Sequence, residues 1–224
     1  MAKVHHDRLT PLEPMSALAN GAFRRENARE LVRAFETGLN NKAHILGWHG
    51  TSLEAPADSS IFFFPADLDK DFRPRVPGAY HTAGRPGAEY YARYTAQTHF
   101  AMRTLGLDFR DPVHRRVTGI GLMHVESWES EGEDALKVLK ELGVSKDRFI
   151  AVAKAALPQK GVLIALSAQH TAEFSIEHGD QAGWDKRVVA PGGLPLKCIN
   201  GIEPLGDREY NFFQQLQDSL TQEQ

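Results

Sequence analysis

One cysteine, Cys198, serves a chain of 224 residues. No disulfide can form within it, so packing and hydrogen bonding must hold the fold, as suits a reducing compartment. The neighbours of Cys198 are apolar, which reads as an inert core thiol rather than a nucleophile. Long apolar runs are also missing: no stretch approaches the ~20 residues that span a bilayer. Met1-Ala2-Lys3-Val4-His5-His6 lacks the apolar centre of a secretory signal. A soluble protein without membrane insertion is expected, acting in a reducing cytosol. Any delivery into a target cell would use machinery that needs no such signal.

An excess of either charge is lacking too. The formal net charge is -3, which gives no general attraction to nucleic acid or anionic lipid; Arg73, Arg75, Arg115 and Arg116 make only local basic spots. A nucleic-acid partner is unsupported. Neither His-Glu-x-x-His nor paired cysteines occur, and His124 with Glu126 and His170 with Glu173 are isolated pairs, so no metal is expected. There is no phosphate loop, no Gly-rich Rossmann turn and no Gly-x-Ser-x-Gly elbow.

What is present reads as a polar arm over residues 1–15, with Pro11 and Pro14, followed by a single domain over residues 16–224. Ala28, Leu31, Val32, Phe35 and Leu39 fall at helical spacing and predict a helix from Asn27 to Leu39, stopped by Gly38, Asn40 and Asn41. A strand from Ala43 to Trp48 follows. Residues 56–79 hold four of the twelve prolines and read as loop. Pro86 suits the first position of a helix that carries Tyr91. Val117 to Val125 reads as a strand, with Gly119-Ile120-Gly121 as a place of close packing. Helices are expected from about Glu133 to Leu142, stopped by Gly143, and from Lys146 to Ala156. The final third reads as a β-meander through Gly161–Ser167, Ala172–Glu177, Lys186–Ala190 and Leu196–Ile202.

Three separated segments suggest a dinucleotide site. The first strand runs into Trp48-His49-Gly50-Thr51. A histidine at a strand end can hold a ribose hydroxyl, and a glycine behind it lets a ligand approach the backbone. Tyr80 and Tyr91 stand eleven residues apart. Two phenol faces closing on a flat, positively charged nicotinamide ring gain roughly 0.5 to 2 kcal/mol each from stacking, cation–π attraction and burial. Ser175-Ile176-Glu177 then offers a strand-borne carboxylate. Glu173 is its rival, because positions 173, 175 and 177 of one strand share a face.

In this order the segments resemble the catalytic domain of the ADP-ribosylating toxins of the diphtheria toxin and exotoxin A group, whose fold is shared with the poly-ADP-ribose polymerases. The matching residues are the Asn27–Leu39 helix, Trp48-His49-Gly50-Thr51, Gly78-Ala79-Tyr80 with Tyr91, and Ile176-Glu177, over roughly residues 20 to 205. The resemblance implies an α+β ADP-ribosyltransferase fold: two facing, mostly antiparallel β-sheets with peripheral helices and an NAD cleft between them. It implies a mono-ADP-ribosyltransferase, a toxin or effector, that uses NAD as substrate and needs no metal. Glu177, with Glu173 in reserve, would be the catalytic carboxylate on the 2′-hydroxyl of the nicotinamide ribose. His49 would orient the other ribose, Gly50 would anchor the carboxamide, Thr51 would shape the cleft, and Tyr80 and Tyr91 would clamp the nicotinamide. The acceptor implied is a protein, elongation factor 2 at its diphthamide. An NAD glycohydrolase and a non-catalytic interaction module of the same fold are the alternatives. The chain departs from the family at Ala79, where a bulky residue is usual, and at Trp184, which comes two residues late and implies an insertion at 179–182.

Overall fold

The computed structural model describes residues 25–38, 45–52, 79–81, 84–108, 111–126, 131–167, 169, 175–177, 187–190 and 198–222. The expected arm over 1–15, all but the last residue of the expected 56–79 loop, and Glu173 lie outside them. In chain order the elements are α1 (Arg25–Thr37), β1 (Ile45–Thr51), β2 (Ala79–His81), α2 (Arg85–Leu105), α3 (Pro112–Met123), α4 (Glu131–Glu141), α5 (Lys146–Ala156), β3 (Val162–Ser167), β4 (Ser175–Glu177), β5 (Arg187–Ala190), β6 (Ile199–Pro204) and α6 (Asp207–Gln222). The class is α+β.

The described strands form two three-stranded antiparallel sheets, β1-β3-β6 and β2-β5-β4. β3 is the centre of the first, and all six of its residues are buried. Its alternation serves two layers at once. Val162, Ile164 and Leu166 pack with Ala28, Leu31 and Val32 of α1 and Phe212, Phe213 and Leu216 of α6. Leu163 and Ala165 pack on the opposite face with Ala88 of α2. At ~1.5 to 3 kcal/mol for each large aliphatic side chain removed from water, this strand is the main anchor of the first sheet. Cys198, a fully buried thiol outside any disulfide, belongs to the α1/α6 side of that core. A second core, with Met102, Val117, Ile120, Leu139 and Phe149, joins α2, α3, α4 and α5.

Three expectations need correction. Val117–Val125 is not a strand: residues 112–123 form α3, started by Asp111, whose carboxylate accepts from the Val113 and His114 amides at 2.7 and 3.2 Å, with Pro112 in the first turn. Five consecutive residues, Val117 to Gly121, are buried because α3 is covered from two sides, and that hides the helical period. The close packing at the glycines does hold: a Cβ at Gly119 would stand 1.9 Å from the Tyr94 hydroxyl, and one at Gly121 2.7 Å from Phe149. The final strands are not a meander either. After β3 the chain supplies β4 and β5 to the other sheet and returns as β6 to pair with β3, since a strand buried on both faces needs backbone partners on both edges. Finally, β1 does not stop at Trp48 but continues through His49, Gly50 and Thr51, which pair with Ile164, Leu163 and Val162; residues 43 and 44 lie outside the described residues.

Helix α6 was not expected from the sequence. Phe212, Phe213, Leu216 and the partly buried Leu220 give it an apolar face on the first core. The helices read as α1, α2, α4 and α5 stand where the periodicity and stop signals put them, within a few residues.

Candidate functional site

β1 is an edge strand: among the described strands β3 is its one ladder partner, and β2 lies beside it. Helix α2 packs along the same strand. The contact is backbone to backbone. A Cβ at Gly50 would stand 1.7 Å from the Ala88 carbonyl oxygen and 2.6 Å from the Ala92 nitrogen. Gly161, at φ 76, is held in the same way against the Thr51 and Ala92 carbonyl oxygens, and its N–H donates to the buried Glu209 carboxylate at 3.3 Å. Hence the space where a Gly50 side chain would stand is filled by helix. This corrects the reason given for that glycine above, which was room for a ligand.

Two further contacts join α2 to the first sheet. At its start, Arg85 donates to Glu89 at 2.8 Å and to Glu203 of β6 at 2.6 Å, with its guanidinium carbon 6.0 Å from the centroid of the Trp48 ring. The hydrogen bond to Glu89 is the largest cause of an Arg85 pKa raised above its ordinary value; Glu203 adds to it and burial opposes it. The group is partly exposed, so the pairs contribute at most about 1 kcal/mol each, and their main effect is to orient the helix end. Further along, the buried Ser52 hydroxyl and the buried His99 Nδ1 are 2.5 Å apart. Strand and helix therefore run side by side, with contacts at Trp48/Arg85, Gly50/Ala88–Ala92 and Ser52/His99.

Burial, and after it the charges of Arg115 and Arg103, push the His99 pKa down from 6.5 to about 3. Its ring is neutral at pH 7. The folded pKa lies below that of the unfolded chain, so on acidification the unfolded chain takes up a proton that the folded chain refuses. Stability from this group is complete above pH 6.5 and falls as the pH drops toward about 3, by up to ~1.4 kcal/mol per pH unit. Urea midpoints at pH 7, 5.5 and 4.5 are expected to decline accordingly, and less steeply in His99→Gln. Equal slopes in the two proteins would contradict a buried neutral ring.

The residues singled out from the sequence are distributed as follows. His49 is half-buried on β1, and Thr51 and Gly50 are buried there. Tyr91 lies on α2 and is 37% exposed, its ring edge-on to Tyr90 at 5.5 Å. Tyr80 is the middle residue of β2, paired with Val189 of β5. Val189 also pairs with Ser175, and Glu177 pairs with Arg187, two positions along β5. Tyr80 and Ser175 thus occupy one row of the ladder, and Glu177 stands two residues from that row at the same pleat parity. Standard strand spacings put the Tyr80 and Glu177 backbones on the order of 12 Å apart.

So β1, β2 and α2 are mutual neighbours or linked through β1, and β4 joins them through β5. Sequence reasoning missed Arg85, Glu203, Ser52 and His99. Arg85 and Glu89 at i and i+4 carried a local signal; the other contacts join residues 47 and 118 apart and carried none. Among the described residues no group of three or more His, Cys, Asp or Glu could hold a metal ion, and no helix is long and apolar enough to cross a membrane. Comparison of the chain with protein-family models, with curated proteins and with solved structures finds no match.

Proposed function

We propose that the chain is a mono-ADP-ribosyltransferase that binds NAD in a bent form between its two sheets and transfers ADP-ribose to a protein. One observation carries the reading. Four segments chosen from the sequence for their chemistry are brought into one neighbourhood: the His49-Gly50-Thr51 edge strand, the Tyr80 strand beside it, the Tyr91 helix packed along it, and the Glu177 strand joined to the Tyr80 strand through β5. Such a convergence of residues from distant parts of the chain is what a two-part substrate requires.

The chemistry follows from the charge that develops. When the bond between ribose C1′ and the nicotinamide nitrogen breaks, its electron pair leaves with nicotinamide and positive charge builds on the ribose. Tyr80 and Tyr91 hold the pyridinium by stacking. Glu177 accepts a hydrogen bond from the 2′-hydroxyl of that ribose, and its negative charge stabilises the oxocarbenium-like transition state. His49 orients the second ribose, and the edge backbone at Gly50 supplies an N–H and a carbonyl for the carboxamide. An acceptor nucleophile then bonds to C1′ and gives up its proton. By resemblance the acceptor is elongation factor 2 at its diphthamide, which would make the protein a toxin or effector acting in the reducing cytosol of a target cell.

Incubation of the purified protein with labelled NAD and a cell lysate tests this. A labelled protein band is expected, strongly reduced in Tyr80→Ala. Rapid nicotinamide release without an acceptor, with no labelled band, would make the enzyme an NAD glycohydrolase. Absence of both, with no heat of NAD binding in calorimetry, would leave a non-catalytic module and overturn the proposal.

A further inference from the structure

We propose that Ser52 and His99 form a buried positioning pair, Ser52 donating to His99 Nδ1, that sets the height of β1 against α2 and thereby fixes the His49-Gly50-Thr51 backbone relative to Tyr91. The inference rests on the NAD reading above. Ser52 follows directly on the tripeptide, and His99 lies two helical turns beyond Tyr91 on the same rod. Both side chains are buried, 2% and 5% exposed, and the bond between them joins two elements that meet backbone to backbone at Gly50.

Flat contacts of the Gly50/Ala88/Ala92 kind prevent approach but resist sliding weakly. A short directional bond at one end, with Arg85 held by Glu203 at the other, resists it. Neither residue is assigned a contact with NAD; both act through the strand and helix they join. Burial, and after it the charges of Arg115 and Arg103, keep the ring an uncharged acceptor. A protonated His99 could not accept from Ser52.

The consequence is specific. Strand and helix hold NAD alike in the ground and transition states, while Glu177 stands on β4, which the pair does not join. Loss of the pair is therefore expected to raise the KM for NAD, with little change in kcat. General destabilisation does the opposite, lowering the active fraction and so the apparent kcat at unchanged KM.

Nicotinamide release from NAD is the assay, with the full chain at a temperature where each variant is folded. In Ser52→Ala the KM for NAD is expected to rise about five- to tenfold, the scale of one lost buried hydrogen bond, with kcat within about threefold of wild type. His99→Asn keeps an acceptor near the Nδ1 position and is expected to retain a near-wild-type KM, whereas His99→Leu should match Ser52→Ala. Wild-type KM in Ser52→Ala and His99→Leu overturns the proposal, as does a fall in kcat alone. If Ser52→Ala does not fold, Ser52→Cys keeps the shape with a weaker donor: a smaller rise in KM is expected, and a wild-type KM overturns the pair. If the wild-type protein neither binds NAD nor releases nicotinamide, the NAD reading itself fails, which is a distinct result.

Discussion

Glu177→Ala is expected to lower ADP-ribose transfer from labelled NAD by a factor on the order of 10² to 10³, while NAD still binds. Removing one preorganised electrostatic group that acts on developing charge costs about 3 to 4 kcal/mol of activation free energy. The loss falls on kcat, because the ribose carries little positive charge before the nicotinamide bond stretches. Glu177→Gln keeps the size and one hydrogen-bond acceptor but not the charge, so it should recover binding and only a small part of the rate. The ladder register bears on the choice of carboxylate. Glu177 is two positions from the row shared by Tyr80 and Ser175, at the parity that puts it with them. Glu173 lies outside the described residues and competes on sequence spacing alone. Transfer that survives in Glu177→Ala and disappears in Glu173→Ala would move the catalytic role to Glu173; transfer that survives in both would end the carboxylate mechanism.

Gly50→Ala is expected to be among the most damaging small substitutions in the first sheet. The new methyl would stand 1.7 Å from the Ala88 carbonyl oxygen, where a comfortable contact is about twice that. Neither side can yield cheaply. His49 and Thr51 are held on either side of Gly50 by their pairing with Ile164 and Val162, and α2 is held by Arg85, by the Ser52–His99 bond and by two cores. Overpacking into a rigid interior costs typically 1 to 3 kcal/mol, and a backbone-on-backbone clash lies at or beyond the top of that range. A loss of about 3 kcal/mol or more corresponds to a fall of roughly 10 °C in Tm for a chain of this size. Gly106→Ala is the comparison: at φ 75 it strains the backbone but meets nothing within 4 Å, so about 1 kcal/mol is expected there. A wild-type Tm in Gly50→Ala would show that α2 does not lie on β1 as described.

Helices α1, α4 and α5, read from their apolar period, each bury one stripe, whereas α2, covered by the first sheet and by the other helices, was read from Pro86 at its start. In α1 the spacing of Ala28, Leu31 and Val32 shows one apolar stripe, and in α4 and α5 the periodic segment stops at Gly143 and resumes at Lys146. α3 failed because burial on two sides removed the polar half of its period and left Val117 to Gly121 looking like a strand. Only its cap, Asp111-Pro112, carried a helical signal. Among the candidate site residues, the apolar strand, the spacing of the two tyrosines and the strand-borne glutamate were all visible in the chain. The Ser52–His99 and Arg85–Glu203 contacts were not, since nothing local to any of the four residues names its partner.

Taken alone, the sequence determined which segments are apolar on one face, where caps and glycines end them, and which chemistry-bearing side chains the segments carry. Those properties are local, set by steric limits on the backbone and by the period with which apolar residues recur. The tertiary structure alone decided that β4 and β5 leave the first sheet and β6 returns to it, that helix backbone fills the space beside Gly50, and that Ser52 meets His99. A period records which face of a segment avoids water. It does not record what covers that face, because any surface of matching shape and polarity satisfies the same burial.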